Sequence, residues 1–343
     1  MSVPRIAGTA IAICVALALS ACVTQPPEPQ STAPLVWPSV PDEPRIAYVA
    51  SVTRPEDLGI AKGFFRRVVD ALFGAEDARI VRPMAVAAVG QVLYVADPGA
   101  KGVHRFDRAS GEYDLLRAEG GAALPSPVGL ARGADGTVYV TDSSLGKVYL
   151  LRPQAKFAVP VALGAPLGQP TGVAFDPVAR RLYVADTAAH RVNVFRADGS
   201  LEAAIGQRGR GDGEFNYPTL LWRTGQGRLY VTDSLNFRVQ AFDERGAFAT
   251  QFGRLGDRAG DLARHKGVAT DSYGHVYVVD GQFHAVQVFD AAGRFLLSVG
   301  GLGRQRGEFW LPAGIFIDED DTIYVADSYN QRVQIFRYVG GAT

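Results

Sequence analysis

Tyr230-Val-Thr-Asp-Ser-Leu-Asn-Phe-Arg-Val-Gln-Ala-Phe242 opens with a tetrad that this chain repeats. Tyr-Val-x-Asp recurs at Tyr94 to Asp97, Tyr139 to Asp142, Tyr183 to Asp186, Tyr277 to Asp280 and Tyr324 to Asp327. From Asp97 onward the six aspartates stand 45, 44, 47, 47 and 47 residues apart. A period in the forties, built from short strand-like runs, is the mark of a radial array of β-units.

Each unit reads as four strands. The glycines Gly206, Gly253 and Gly300 stand 47 apart and open loops of the same spacing: Gly209/Gly256/Gly303, Gly213/Gly260/Gly307, then Glu214-Phe215, Asp261-Leu262 and Glu308-Phe309. Glycine permits tight turns there, and the apolar residue pins the loop. A small apolar first strand follows, as in Thr171–Phe175 and Gly267–Thr270. The second carries the tetrad, and the third is Arg238–Phe242 or Arg332–Phe336. The fourth is more polar, as in Leu201–Ile205, Phe248–Phe252 and Phe295–Val299. Turns such as Asp198-Gly199 join third to fourth as hairpins. First and second strands are apolar on both faces, as a sheet held between two neighbours requires. The sixth unit has only three strands: Ile315–Asp318, Ile323–Asp327 and Val333–Phe336. Arg45–Val52 is a strand without a unit, and it is expected to supply the missing fourth strand and close the ring. The sequence therefore predicts an all-β, six-bladed propeller over residues 83–343, closed by residues 45–52.

Pro-x-Gly-Val-Ala-x-Asp, Tyr-Val-x-Asp-Ser-x-Asn-x-Arg-Val-Gln-x-Phe and Gly-Glu-Phe resemble NHL repeats, over roughly residues 80 to 340. Asp233–Arg238 and Asp327–Arg332 match that pattern in full, whereas Asp97–Gly102 and Asp142–Lys147 lack its asparagine. The whole chain resembles bacterial six-bladed NHL-repeat lipoproteins.

The N-terminal residues carry their own signal. Arg5 precedes an apolar run from Ile6 to Leu19, right in length for the core of a signal peptide. It ends in Leu19-Ser-Ala-Cys22, which resembles the lipobox of bacterial lipoproteins. That resemblance implies a signal peptide over 1–21, acylation of Cys22, and, with Val23 in place of aspartate, sorting to the outer membrane facing the periplasm. Residues 22–44 hold seven prolines between Gln25 and Pro44 and read as a semi-stiff tether. Cys14 and Cys22 are the only cysteines, so the repeats have neither a disulfide framework nor a thiol metal site. Residues 53–82 interrupt the repeat plan. Phe64, Phe65, Val68, Val69, Leu72 and Phe73 recur at helical spacing, which predicts one short amphipathic helix before the first unit.

Lys+Arg and Asp+Glu are both 35, a balance that argues against nucleic acid as a partner. The repeat aspartates Asp97, Asp142, Asp186, Asp233, Asp280 and Asp327 read as structural carboxylates. Lys147, Arg191, Arg238 and Arg332 stand five residues after four of them as basic partners. His190 and His284 occupy equivalent positions and read as surface loop histidines, short of the three or four convergent ligands that zinc needs. Peptide-amidating lyases resemble NHL propellers and place a histidine after the proline that opens the first strand. The positions here are Met84, Val128, Thr171, Thr219, Lys266 and Ala313, so that activity is not carried over. No hydrolase elbow or phosphate-cradling loop is present, and no catalytic residue, metal or cofactor is assigned. The remaining candidates are exposed loops on one end of the propeller: Tyr217, Asn236, Phe237, Phe283, His284, Trp310, Tyr329 and Asn330. Aromatic and amide groups on a rigid ring suit a protein or peptide partner. The expected function is a lipid-anchored envelope binding or scaffold module with an unidentified envelope partner. The alternative is a metal-dependent, lactonase-like or lyase-like envelope enzyme using the central pocket.

Cys22→Ala is expected to move the protein from the membrane to the soluble fraction and to abolish incorporation of labelled fatty acid. Unchanged membrane fractionation overturns the anchor.

Overall fold

The computed structural model describes residues 34–39, 41–60 and 78–340. These all belong to the compact unit Pro34–Thr343. The amphipathic helix expected at 62–73 and Cys22 lie outside the described residues.

The strands form five sheets, one of eight strands, one of five and three of four. The four-stranded sheets are antiparallel meanders in chain order. One runs Pro170–Asp176, Arg181–Asp186, Arg191–Phe195 and Leu201–Ile205. The next two begin at Pro218–Arg223 and His265–Thr270. The eight-stranded sheet runs from Ala85–Val89 at one end to Pro127–Arg132 at the other. Its halves join where Phe157–Pro160 pairs in parallel with Glu112–Ala118 and antiparallel with Lys147–Leu151. Lys156 reaches Asp114 across that joint at 3.2 Å, and Arg105, opposite Asp114 on the adjacent strand of the same half, meets the same carboxylate at 2.5 Å.

The tetrad explains the packing. Side chains alternate along a strand, so Val and Asp of each tetrad share one face and Tyr and the variable third residue share the other. Val95, Val140, Val184, Val231, Val278 and Val325 are all fully buried. Each fully buried valine is worth about 1.5–3 kcal/mol relative to exposure. The tyrosines are buried too, apart from Tyr139, which is half-buried. Tyr277 and Tyr324 donate their hydroxyls to Asp271 and Asp318 at 3.0 and 3.1 Å. Burial pushes the Tyr324 hydroxyl up to about 12, with the Asp318 charge acting in the same direction.

First strands crowd the axis, which is why their residues are small. A Cβ on Gly172 would stand 2.4 Å from the Thr219 carbonyl oxygen, and one on Gly314 would stand 2.5 Å from that of Met84. Gly314 immediately precedes Ile315–Ile317 of the last sheet and Met84 immediately precedes the first strand of the eight-stranded sheet, so the two ends of the array meet. Ser328 seals this junction by donating to the Pro83 carbonyl.

The last sheet combines the two ends of the described chain. Ile46–Val52 pairs antiparallel with Arg332–Tyr338, from Ile46 opposite Tyr338 to Val52 opposite Val333. A further strand, Val36–Trp37, pairs with Ala47 and Ile46 and makes this sheet five-stranded. The sequence reads residues 22–44 as tether throughout, but the Val36–Trp37 portion is folded onto the sheet. Trp37 packs edge-on to Phe336, ring centroids 5.6 Å apart, and burial of an aromatic ring outweighs the proline content around it. In the interrupting segment, Pro55–Leu58 forms a single 3₁₀ turn. Asp57 accepts from the amide and hydroxyl of Thr53 at 2.8 and 2.6 Å. Ile60 and Ile80 are both buried beside Val52, and the Ile80 amide donates to Thr53 O.

Deleting Ile46–Val52 exposes an apolar strand edge and uncovers Phe336 and Val333. A fall in Tm of about 10 °C or more is expected, several kcal/mol for a chain of this size. An unchanged Tm by calorimetry overturns the closing role of this strand.

Candidate functional site

The six aspartates are fully or almost fully buried. Each ends its strand with the carboxylate turned onto backbone amides of the loop that leads into a first strand. Asp97 accepts from Val81, Arg82 and Ala100. Asp142 accepts from Ser126, Ser144 and Leu145. Gly168 and Gln169 serve Asp186, and Asn216 serves Asp233. Ala263, Arg264, Gln282 and Phe283 donate to Asp280, and Trp310 to Asp327.

Arg238 and Arg332 complete this arrangement in two units. Each places Nε 2.8 Å from its aspartate and Nη2 on carbonyls of the glycine loop, while Nη1 of Arg238 donates to the Gln251 side chain and that of Arg332 to the Arg304 carbonyl. Gln240 and Gln334 grip the same loops through both amide atoms. The expected pairing fails elsewhere. Lys147 is exposed and makes no ion pair among the described residues, and the buried Nε of Arg191 has no hydrogen-bond partner. At Asp97 the place is taken by buried His104, whose Nε2 lies 3.2 Å from the carboxylate while Nδ1 meets the Tyr113 hydroxyl. Burial works to raise the Asp97 carboxyl, but the bonds from His104 and the backbone outweigh it and hold it below the ordinary range. At Asp327 burial prevails and the carboxyl is raised, despite Trp310, Asn330 and Arg332.

The histidines differ from their reading as loop surface. His190 is buried and His284 half-buried, and their Nδ1 atoms accept the amides of Tyr217 and Leu311 in the next unit, at 3.2 and 3.0 Å. Tyr217 and Leu311 have φ of 57° and 47°, so each histidine holds a left-handed residue in the loop that leads into a first strand. An accepting Nδ1 puts the proton of a neutral ring on Nε2.

The other candidates separate by their contacts. Asn236 and Asn330 donate to Asp233 and Asp327 and to the carbonyls of Gly209 and Gly303, so their amides are consumed within the fold. Phe237 and Phe283 are half-buried. Tyr217 is exposed and packs edge-on to His190 at 4.6 Å. Trp310 lies between exposed Tyr329 at 5.7 Å and the Arg304 guanidinium at 4.8 Å.

Two cavities open at the ends of the axis. Between them the interior has room for only about 30 Å³, lined by Val86, Leu130, Val173, Leu221, Trp222 and Phe316 among others. This apolar plug separates the two mouths. The mouth beside the aspartates has a volume of about 290 Å³ and is walled by Met84, Val128, Leu311 and Tyr329. Arg82, Arg264 and Lys266 also line it, and no acidic side chain does. Among the described residues none of these three cations makes an ion pair. Burial, reinforced by Arg264, pulls the Lys266 ammonium below its ordinary value. Thr171 and Thr219 stand at the same inner position as Lys266, but their hydroxyls are tied to Thr187 and Ser234. The opposite mouth, about 570 Å³, holds charges of both signs that compensate one another. Arg132 pairs with Glu319, Arg223 with Asp176 at 2.5 Å, and Asp271 accepts from His275 and Tyr277.

Of the eight candidates, only Tyr329 lines the cationic mouth. Sequence reasoning missed Arg82, Arg264 and Lys266. The available signal was at 264–266, where Arg-His-Lys replaces the proline that opens other first strands. His265 fills the proline site fully buried, with Nε2 2.9 Å from Arg238 O and Nδ1 unpartnered. Burial keeps it neutral by lowering its pKa.

The NHL repeat pattern matches residues 167–195 and 309–336. The chain carries NHL repeats. No curated protein matches the sequence. Solved β-propellers share the fold around these repeats at low identity. An auxiliary nutrient binding protein from Bacteroides thetaiotaomicron is 13% identical with a TM-score of 0.61, over 76% of this chain and 70% of that one. Virginiamycin B lyase from Staphylococcus aureus is 14% identical with a TM-score of 0.54, over 76% and 96%. A chain of the nidogen/laminin complex is 18% identical with a TM-score of 0.52, over 71% and 84%.

Arg332→Gln leaves a buried carboxylate without its cation and removes the donor to three loop carbonyls, those of Arg304, Gln305 and Glu308. A loss of about 3–5 kcal/mol is expected in urea unfolding, against about 0.5 kcal/mol or less for Lys147→Gln at its exposed site. Equal losses overturn the distinction between the two units.

Proposed function

We propose that this protein is a lipid-anchored binding module of the bacterial envelope that receives a protein or peptide partner on the face bearing the repeat aspartates. In this reading the five sheets are six four-stranded blades, the eight-stranded sheet being two blades bridged at their outer strands and the five-stranded sheet one blade with Val36–Trp37 added at its edge. Lipidation at Cys22 and an outer-membrane address rest on the sequence motif.

The observation that carries the binding reading is the contrast between the two mouths. Charges at one are neutralised within the fold, while those at the other are left for something outside it. Around the latter mouth the loops also expose Leu145, Tyr217, Leu235 and Tyr329, each 41–54% accessible. Aromatic and aliphatic side chains around a charged pocket suit recognition of another molecule. The likeness to auxiliary nutrient binding proteins and to a member of the nidogen/laminin complex supports a binding role on this fold. Fold alone does not assign a partner.

A photo-crosslinking residue placed at 217 or 310 is expected to give discrete adducts in intact cells, whereas one at 273, on the opposite end, is expected to give none. Adducts from 273 alone overturn the assignment of the binding face.

A further inference from the structure

The cationic mouth has a composition that selects its occupant. Arg82 and Arg264 approach from loops whose own backbone amides donate to Asp97 and Asp280, at 3.0 and 3.1 Å. The nearest repeat carboxylates are therefore spent on the main chain of the very residues whose side chains carry the positive charge. Lys266 follows in the first strand of its sheet and lines the same cavity. Three like charges around about 290 Å³ repel one another, and Lys266 is half-buried as well. An anion at this point relieves both costs, since a desolvated cation is stabilised by a counter-charge.

The remaining wall is mostly apolar, with Met84, Val128, Leu311 and Pro312 beside Tyr329, and the hydroxyls of Ser126 and Ser328 that also line it are engaged by Ser143 and the Pro83 carbonyl. Water-sized anions leave that surface uncovered. The plug behind the mouth closes it at depth, so a ligand enters and leaves from one side. The volume lies at the small end of the range for ligand pockets, about 300–1,000 Å³.

We propose that this axial mouth binds an organic anion, a carboxylate or phosphate carried on a small apolar body, with Arg82, Arg264 and Lys266 clamping the charged group. The site rests on the reading of this face as the binding face. Two sources supply such a group: a free small acid, or an acidic side chain of a bound peptide.

The test is calorimetric titration of the full mature protein in detergent with glutarate, butyl phosphate and the peptide acetyl-Gly-Glu-Phe-Glu-Gly-amide. The neutral counterparts are glutaramide, butanol and the same peptide with glutamine. At least one anionic probe is expected to bind about tenfold or more tighter than its neutral counterpart. Arg264→Gln, at an exposed position, and Lys266→Gln are each expected to weaken it about tenfold or more with Tm near that of the parent. Raising salt from about 50 to about 500 mM is expected to weaken it further. Tighter binding of the peptide than of glutarate assigns the group to a peptide partner, and the reverse assigns it to a free acid. Equal binding of neutral probes, undiminished binding by both variants, or no anionic binding below about 10 mM overturns the proposal. If crosslinks from 217 and 310 persist in that event, the binding face stands and only the anionic ligand class falls.

Discussion

A buried carboxylate receiving main-chain amides is the interaction on which the rest of this structure depends. Each repeat aspartate converts a loose crossing between the outer edge of one sheet and the axial strand of the next into a fixed corner. A buried charge is tolerated because hydrogen bonds replace its water. The surrounding residues differ from unit to unit: an arginine fork at Asp233 and Asp327, a histidine at Asp97, and amides alone at Asp142, Asp186 and Asp280. The corner is therefore kept while its means of charge compensation drifts.

From fixed corners the axial geometry follows. First strands approach until only small residues fit, and the interior fills with valine, leucine and aromatic side chains. The two ends of the axis then become independent surfaces. One end settled its charges internally through Arg132–Glu319 and Arg223–Asp176. The other could not, because its carboxylates had already been committed to the corners.

The strands were legible in the sequence because alternation and spacing are local properties. Arg238–Phe242 and Phe248–Phe252 occur with the limits their patterns indicate, and Ile46–Val52 lies beside Arg332–Tyr338 as the missing strand implied. Val36–Trp37 was not legible, since two residues among prolines carry no period and the Trp37–Phe336 contact is made across the whole chain. The site was hidden for the same reason. Arg82 and Lys266 meet only after the array has closed, and nothing near either residue in sequence announces the other. His190 and His284 showed their equivalence in sequence, but their role as acceptors for the next unit requires the left-handed turns at Tyr217 and Leu311 to be seen.

The pairing of Ile46–Val52 with Arg332–Tyr338 carries a consequence for the order of assembly. The three antiparallel meanders from Pro170 to Gly300 are made of neighbours in sequence and can form as each emerges. The last sheet cannot, because one of its strands is synthesised near the beginning and its partner near the end. Joining such distant segments costs loop-closure entropy that local hairpins avoid. Until then Phe336 and Val333 lack their cover and a strand edge stands open. The chain thus passes through a stage in which most of its repeats are built while its sticky seam is still unsewn, and it is then that a chaperone has something to hold.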